Sequence, residues 1–242
     1  MREASLLQKL LRMKWILILC MIFSGSLSRA MSFGSAGGIS ESFEFGVGVT
    51  TAHQTDLNSW MSGTNQVGTQ DLGSAYEFSV TYFHRLAGTF FELGLRPSYF
   101  MQSASGGGVS STLNGYLLYP IIRIYPLENS FIHFFMEAGM GYGHMNGTVA
   151  DSNASASTNF TASAFGALAG MGADFCFTDS QCMSVEGVVR YHPLARSIVS
   201  TASGTFTNTL TGAADHELEY SGLDVQNTFS GIIGQLAYTY KF

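Results

Sequence analysis

From residue 41 to its end the chain alternates, at a period of two, apolar side chains with glycines and charges. Phe43, Phe45, Val47 and Val49 alternate with Ser42, Glu44, Gly46 and Gly48, and Tyr76, Phe78, Val80 and Tyr82 with Glu77, Ser79 and Thr81. Phe91, Leu93, Leu95, Pro97 and Tyr99 alternate with Glu92, Gly94, Arg96 and Ser98, and Phe134, Met136, Ala138, Met140 and Tyr142 with Glu137, Gly139, Gly141 and Gly143. A two-residue period puts the two sets on opposite faces of a strand, and no stretch shows a convincing helical period. The pattern predicts strands at approximately 41–51, 73–84, 89–102, 110–125, 131–144, 162–177, 182–193 and 225–242. The intervening segments alternate between long (52–72, 103–109, 145–161, 194–224) and short (85–88, 126–130, 178–181), the rhythm of an up-and-down meander.

Such a meander closes with its apolar face inward in water or outward in lipid, and the polar face decides between them. Glu44, Glu77, Glu92, Arg96, Arg123, Glu137, Asp174, Glu186 and Arg190 fall on it, together with Gly46, Gly48, Gly94, Gly139, Gly141 and Gly143. A water-facing surface favours Lys and Thr over so many glycines. The narrow interior of an eight-stranded barrel accepts small residues, and acids that meet Arg. The fold class predicted is therefore all-β, an eight-stranded antiparallel up-and-down transmembrane β-barrel with long external loops and short periplasmic turns. Tyr76, Tyr82, Tyr99, Tyr142, Tyr191, Tyr238 and Tyr240 lie near the ends of the apolar face, where a girdle straddles headgroups. Inward Phe83, Phe100, Leu117, Ile121 and Phe135 predict a plugged or apolar lumen. A soluble lipocalin-like carrier is the structural rival, but its typical Gly-x-Trp signature is absent from the first strand, and Trp60 falls in a loop.

Only 12% of residues are charged, against about 25% in a soluble domain. Of 11 basic and 17 acidic side chains, Arg2, Lys9, Arg12, Lys14, Arg29 and Glu3 precede residue 31, so a basic leader fronts an acidic body whose single lysine is Lys241. Clustered cations for phosphate neutralisation are missing, which excludes nucleic acid as a partner. Basic residues up to Lys14, the apolar run Trp15 to Phe23 and the small run Ser24 to Ala30 have the order of a cleaved signal peptide, residues 1–30. Met13 is an alternative start. Residues 31–40 form a short N-terminal segment and 41–242 the barrel. Loss of Cys20 with the leader leaves Cys176 and Cys182 in an oxidising compartment, where a disulfide is the favoured reading and two free thiols the alternative.

The ending Gly234-Gln-Leu-Ala-Tyr-Thr-Tyr-Lys-Phe242, with apolar residues at alternate positions up to an aromatic terminus, resembles the small bacterial outer-membrane β-barrels of the OmpA, OmpX and OmpW kind. The phrases Phe135-Met-Glu-Ala-Gly-Met-Gly-Tyr-Gly143 and Val185-Glu-Gly-Val-Val-Arg-Tyr191 are similar to strand phrases of that group. The resemblance implies the bacterial outer membrane as location, and an assembly signal formed by Leu236, Tyr238, Tyr240 and Phe242 that the assembly machinery reads. Outer-membrane lipid and lipopolysaccharide are the other implied partners, for a monomer with no cofactor and no catalytic or metal site. The expected role is non-enzymatic, structural or surface-interacting through the external loops. A narrow porin-like conduit for small, apolar solutes is the alternative.

Other motifs have plainer readings. Gly139-x-Gly-x-Gly143 lies within a strand, without the following helix a phosphate loop needs. Asp215-His-Glu-Leu-Glu219 reads as a solvated acidic loop rather than a cation site. Arg190-Tyr-His-Pro-Leu-Ala-Arg-Ser197 carries Leu194 and Ala195 where a lipid A deacylase pattern has Ser and Asn. His53, Asp56 and Ser59 match only the residue types of a palmitoyltransferase.

Overall fold

The structure, a computed structural model, describes residues 40–63, 70–129, 131–194, 196–206 and 210–242. The predicted leader, residues 1–30, and the segment 31–39 lie outside the described residues. The barrel strands are β1 (Ser40–Thr50), β2 (Ala75–Arg85), β3 (Phe91–Gly106), β4 (Val109–Glu128), β5 (Ile132–Asp151), β6 (Ala156–Thr178), β7 (Gln181–Tyr191) and β14 (Gly231–Lys241). Neighbours in sequence pair antiparallel throughout, β14 joins β1 to β7, and β5 pairs with β6, so the eight-stranded barrel is closed. Closure leaves no strand edge of the spanning region without a backbone partner, as hydrocarbon demands.

Alternation places the faces as the period requires. Phe45, Val47, Phe78, Leu95, Met136, Met140, Val185 and Leu236 are exposed on the outer wall, while Glu44, Arg96, Arg123, Glu137 and Arg190 are buried within. This is the inverse of a soluble barrel.

Besides segment 103–109, where β3 and β4 stay paired up to Gly106↔Val109 instead of forming a long loop, the predicted strand and loop limits need three corrections. Segment 145–161 is a continuous hairpin rather than a loop: β5 and β6 stay paired from Ile132↔Phe175 up to Asp151↔Ala156. Above residue 143 the outward positions His144, Asn146 and Thr148 are polar and the inward Met145 and Val149 apolar, so the pattern inverts and reads as loop to a scheme fixed on apolar-out. The second correction is a helix, α1 (Thr55–Gly63), in the first long loop. Leu57, Trp60 and Met61 supply an apolar face at i, i+3 and i+4, too brief to stand out as a period.

Third, the last loop is structured. It contains β8 (Pro193–Leu194), β9 (Ser197–Ser203), β10 (Leu210–Thr211), β11 (Glu219–Tyr220), β12 (Leu223–Asp224) and β13 (Asn227–Thr228), and the final barrel strand begins at Gly231 rather than residue 225. β9 extends the sheet by pairing with the upper part of β6. The β3–β4 turn is Gly107-Gly108 with φ of 60° and 86°, a left-handed pair that glycine adopts without steric cost.

Cys176 and Cys182 are bonded and sit opposite one another in the β6–β7 register. Their Cα atoms are 3.9 Å apart, closer than the range of about 4.4–6.8 Å usual for a disulfide. The closed loop is short, so Cys176→Ala/Cys182→Ala is expected to lower stability by only about 2 kcal/mol. Urea midpoints of the double variant and the oxidised parent check this, and alkylation of both thiols in unreduced, unfolded protein would disprove the bond.

Candidate functional site

The interior is stacked in layers. At mid-barrel Arg96 donates from Nη1 to Glu137 Oε1 at 2.8 Å and to Glu186 Oε1 at 2.9 Å. Arg123 donates from Nη1 to Glu44 Oε2 and from Nη2 to Glu137 Oε2, both at 2.9 Å, and lies 3.6 Å from Glu186. Two guanidiniums therefore face three carboxylates contributed by strands β1, β5 and β7. The Arg123 guanidinium is also held between two rings, 4.0 Å from the Phe83 centroid and 3.9 Å from that of Phe135. Cation–π contact adds to ion pairing where both are out of water. Nearer the periplasmic end the Tyr125 hydroxyl stands 3.1 Å from Glu92 and 3.2 Å from Asp174, which also accepts from Ser184 Oγ at 2.7 Å. Nearer the external end Arg190 grips Glu77 through both carboxylate oxygens, at 2.8 and 3.0 Å, and donates from Nε to Phe229 O at 2.7 Å. Arg96, Arg123 and Arg190 thus each meet an inward acid, while Glu92 and Asp174 meet hydroxyls.

Inward glycines make room for these rings. Gly94 is the register partner of Phe83, Gly172 of Phe135 and Gly147 of Phe160. A Cβ at Gly94 or Gly172 would run into the facing ring, and at Gly147 into the ring of Phe160. The glycine columns are seats for aromatic side chains lying across the strand.

Above Arg190 the lumen becomes apolar. Trp60, Leu57, Leu72, Phe100, Leu194, Val225 and Phe229 are fully buried, and Phe100 and Phe229 meet edge to face at 4.8 Å. Two amide side chains, missed in the sequence because isolated Gln and Asn carry no pattern, tie the first and last loops into this plug. Gln54 donates to Thr228 O at 2.8 Å and accepts from Thr228 N at 2.9 Å. Asn58 does the same for Leu72, donating to its O at 3.3 Å and accepting from its N at 2.7 Å. Each amide mimics a strand neighbour. Their positions inside a buried cluster are the signal that would have marked them.

On the outer wall two aromatic rings bound the apolar band. The external one includes Tyr76, the registered pair Tyr99 and Tyr116 at 5.0 Å, the registered pair Tyr142 and Phe165 at 5.3 Å, and Tyr191. The periplasmic one includes Phe43 and Tyr82 at 5.4 Å, Tyr238 and Tyr240.

No protein-family model matches the sequence, and no curated protein matches it. Solved structures do. A major outer membrane protein from Thermus thermophilus superposes with a TM-score of 0.52 at 13% identity, over 84% of this chain and 99% of that one. The fold is that of a bacterial outer-membrane β-barrel. The N-terminal β-barrel domain of Pseudomonas aeruginosa OprF gives 0.46 at 13% identity (85% and 99% covered), and the attachment invasion locus protein Ail of Yersinia pestis 0.44 at 11% (86% and 100%). The inverted faces of this barrel require a surrounding membrane, and its fold is the one that spans bacterial outer membranes.

The remaining motifs of this outer-membrane barrel have structural partners. His192 is fully buried, pointing into the lumen rather than toward lipid. Its Nδ1 lies 2.5 Å from the Tyr119 hydroxyl and its Nε2 2.9 Å from Ala164 O. His53 lies 3.4 Å from Asn58 Nδ2, Asp56 accepts from Gln226 N at 2.8 Å, and the Ser59 carbonyl accepts from Ser62 and Tyr220. None of these four contacts joins His53, Asp56 and Ser59 to one another. Residues 215–219 run beside β9, with Leu218 buried and Glu217 paired to Arg196. Among the described residues no group of three or more His, Cys, Asp or Glu is placed to hold a metal ion. Leu236, Tyr238 and Tyr240 face outward on β14, opposite Val47, Phe45 and Phe43 of β1, and Phe242 is part-exposed.

Proposed function

We propose that this barrel is closed to solutes and serves a structural or surface-interaction role, adhesion or envelope integrity, through the folded cap that its external loops build. The apolar plug carries the reading. Trp60, Leu57, Leu72, Phe100 and Phe229 fill the lumen above the Arg190–Glu77 pair, and the buried amides among them, Gln54, Asn58 and Gln102, are held in hydrogen bonds within the protein. A conduit needs a path whose occupants are weakly held, and this interior has fully buried rings above and paired charges below. The cap gives the loops a fixed surface instead, with Asp56, Asp71, Asp215, Glu217, Glu219 and Asp224 against the single cation Arg196. Its expected partners are therefore neutral or cationic. The inward aim of His192 supports a non-enzymatic role, since a catalytic base for a membrane lipid must reach the outer wall.

Planar bilayers test the closed state. The folded protein is expected to add no resolved conductance steps, and reproducible steps would favour the conduit instead.

Export by the residue 1–30 leader and assembly through the terminal strand belong to the same reading. Deleting Phe242 removes one lipid-facing ring, worth about 1.5–3 kcal/mol if fully buried, but also the end of the edge that must find β1. Membrane levels of folded protein are expected to fall while purified protein still folds in detergent. Undiminished membrane levels would refute the signal.

A further inference from the structure

We infer that the Cys176–Cys182 disulfide is a thiol–disulfide exchange site, at which a small periplasmic thiol attacks Cys176 beside the Lys241 ammonium. This goes beyond the role proposed for the cap and does not rest on it.

Four strands bring one residue each to the periplasmic mouth of the barrel. His133 stands at the start of β5, Cys176 near the end of β6, Cys182 at the start of β7 and Lys241 at the end of β14. Register places Cys182 between Cys176 and Thr239, so the bonded sulfurs lie next to the strand that carries Lys241. Lys241 Nζ donates to His133 Nδ1 at 3.3 Å and to Cys176 Sγ at 3.8 Å, and His133 Nδ1 lies 3.7 Å from the same sulfur.

Lys241 is the only lysine behind the leader, and its neighbouring carboxylates are engaged elsewhere. Glu92 and Glu128 both feel its charge, but Glu128 gives both oxygens to Arg85 at 2.6 Å and Glu92 accepts from the Tyr125 hydroxyl at 3.1 Å. The ammonium is thereby left to an imidazole and a sulfur. A disulfide that only staples a hairpin has no use for a cation, and this one closes a short loop that adds little stability. Exchange does use one, because the attacking and leaving groups are thiolates.

The two sulfurs differ in access. Cys182 is fully buried, whereas Cys176 is 8% exposed and faces Lys241. An incoming thiolate therefore forms its S–S bond to Cys176 Sγ. The Cys176–Cys182 bond breaks, and Cys182 leaves with the electron pair and takes up the proton that the first thiol released to water. A second thiolate then attacks the sulfur of the bound small thiol, which departs as a small-molecule disulfide, and the electron pair of that broken bond stays on Cys176. Two thiols are oxidised and one cystine is reduced. Cys176 leaves as a thiolate already facing an ammonium, which eases its departure and shifts the balance toward the dithiol.

The full-length protein, folded in detergent micelles and equilibrated in glutathione redox buffers, tests the assignment after free thiols are trapped by alkylation and the masses read. The parent is expected to be reduced while its heat-dependent gel mobility stays that of a folded barrel, with glutathione found on Cys176 and not on Cys182. Lys241→Met should shift the exchange equilibrium about tenfold toward the disulfide, equivalent to about 30 mV for a two-electron couple, while Lys241→Arg keeps the parent's balance. In the reduced parent, alkylation of Cys176 should rise with pH at a midpoint below the free-thiol value of about 8.5, and move back toward that value in Lys241→Met. Reduction only after unfolding in urea, glutathione on Cys182, or the same equilibrium and alkylation profile in the parent and Lys241→Met would overturn the assignment. Lys241→Arg behaving as Lys241→Met would overturn it too.

Discussion

Replacing Arg123 by methionine is expected to destabilise the barrel by about 3–5 kcal/mol, the usual cost of breaking a buried charge cluster from one side. Arg123 joins Glu44 to Glu137 and is sandwiched by Phe83 and Phe135, and all of these side chains are buried. Without it Arg96 alone faces Glu44, Glu137 and Glu186, with no water to dilute their repulsion. Arg123→Met/Glu44→Gln removes one orphaned acid and should recover part of the loss, whereas two independent sites would show additive losses. Urea-dependent gel mobility in lipid vesicles measures both. A loss for the single variant below about 1 kcal/mol would mean that these charges are solvated, and that the interior is wetter than its burial indicates.

The second large effect is expected at Trp60. Truncation to alanine removes the largest fully buried side chain of the plug, and such changes cost about 3–5 kcal/mol. The loss should be local. Trp60 sits on α1, held to the last loop through Gln54 and to Leu72 through Asn58, while the spanning strands keep their own ladder and charge layer. Limited proteolysis should therefore cut readily within residues 51–74 and 192–230 of Trp60→Ala, while the heat-dependent mobility of the barrel persists. An equal loss in both assays would show that cap and barrel unfold as one unit.

Side-chain direction was almost wholly legible in the sequence. Glu44, Arg96 and Arg123 fell inward, and Phe45, Leu95 and Met136 outward, because the period of two holds wherever strands are continuous. Which charges meet was not legible. Arg96 reaches Glu186 across 90 positions because strand stagger, a property of the closed barrel, brings them to one height. The plug was also beyond the pattern, since Leu57, Trp60, Leu194 and Phe229 show no sustained period and acquire a common face only when the first and last loops converge. The upper hairpin was misread for the opposite reason. Its alternation is intact, but the solvent outside it changes from lipid to water and inverts the meaning of each position.

That inversion acts as a waterline. Along β5 the outward side turns from Tyr142 to His144 and Asn146 where the inward side turns from Gly143 to Met145. Sinking the barrel by one pleat would press amides and an imidazole into hydrocarbon, and raising it would lift Met140 and Phe165 into water. A bilayer thicker or thinner than the distance between the two aromatic rings would have to deform around the protein, because the protein has no neighbouring depth at which its two faces are both satisfied.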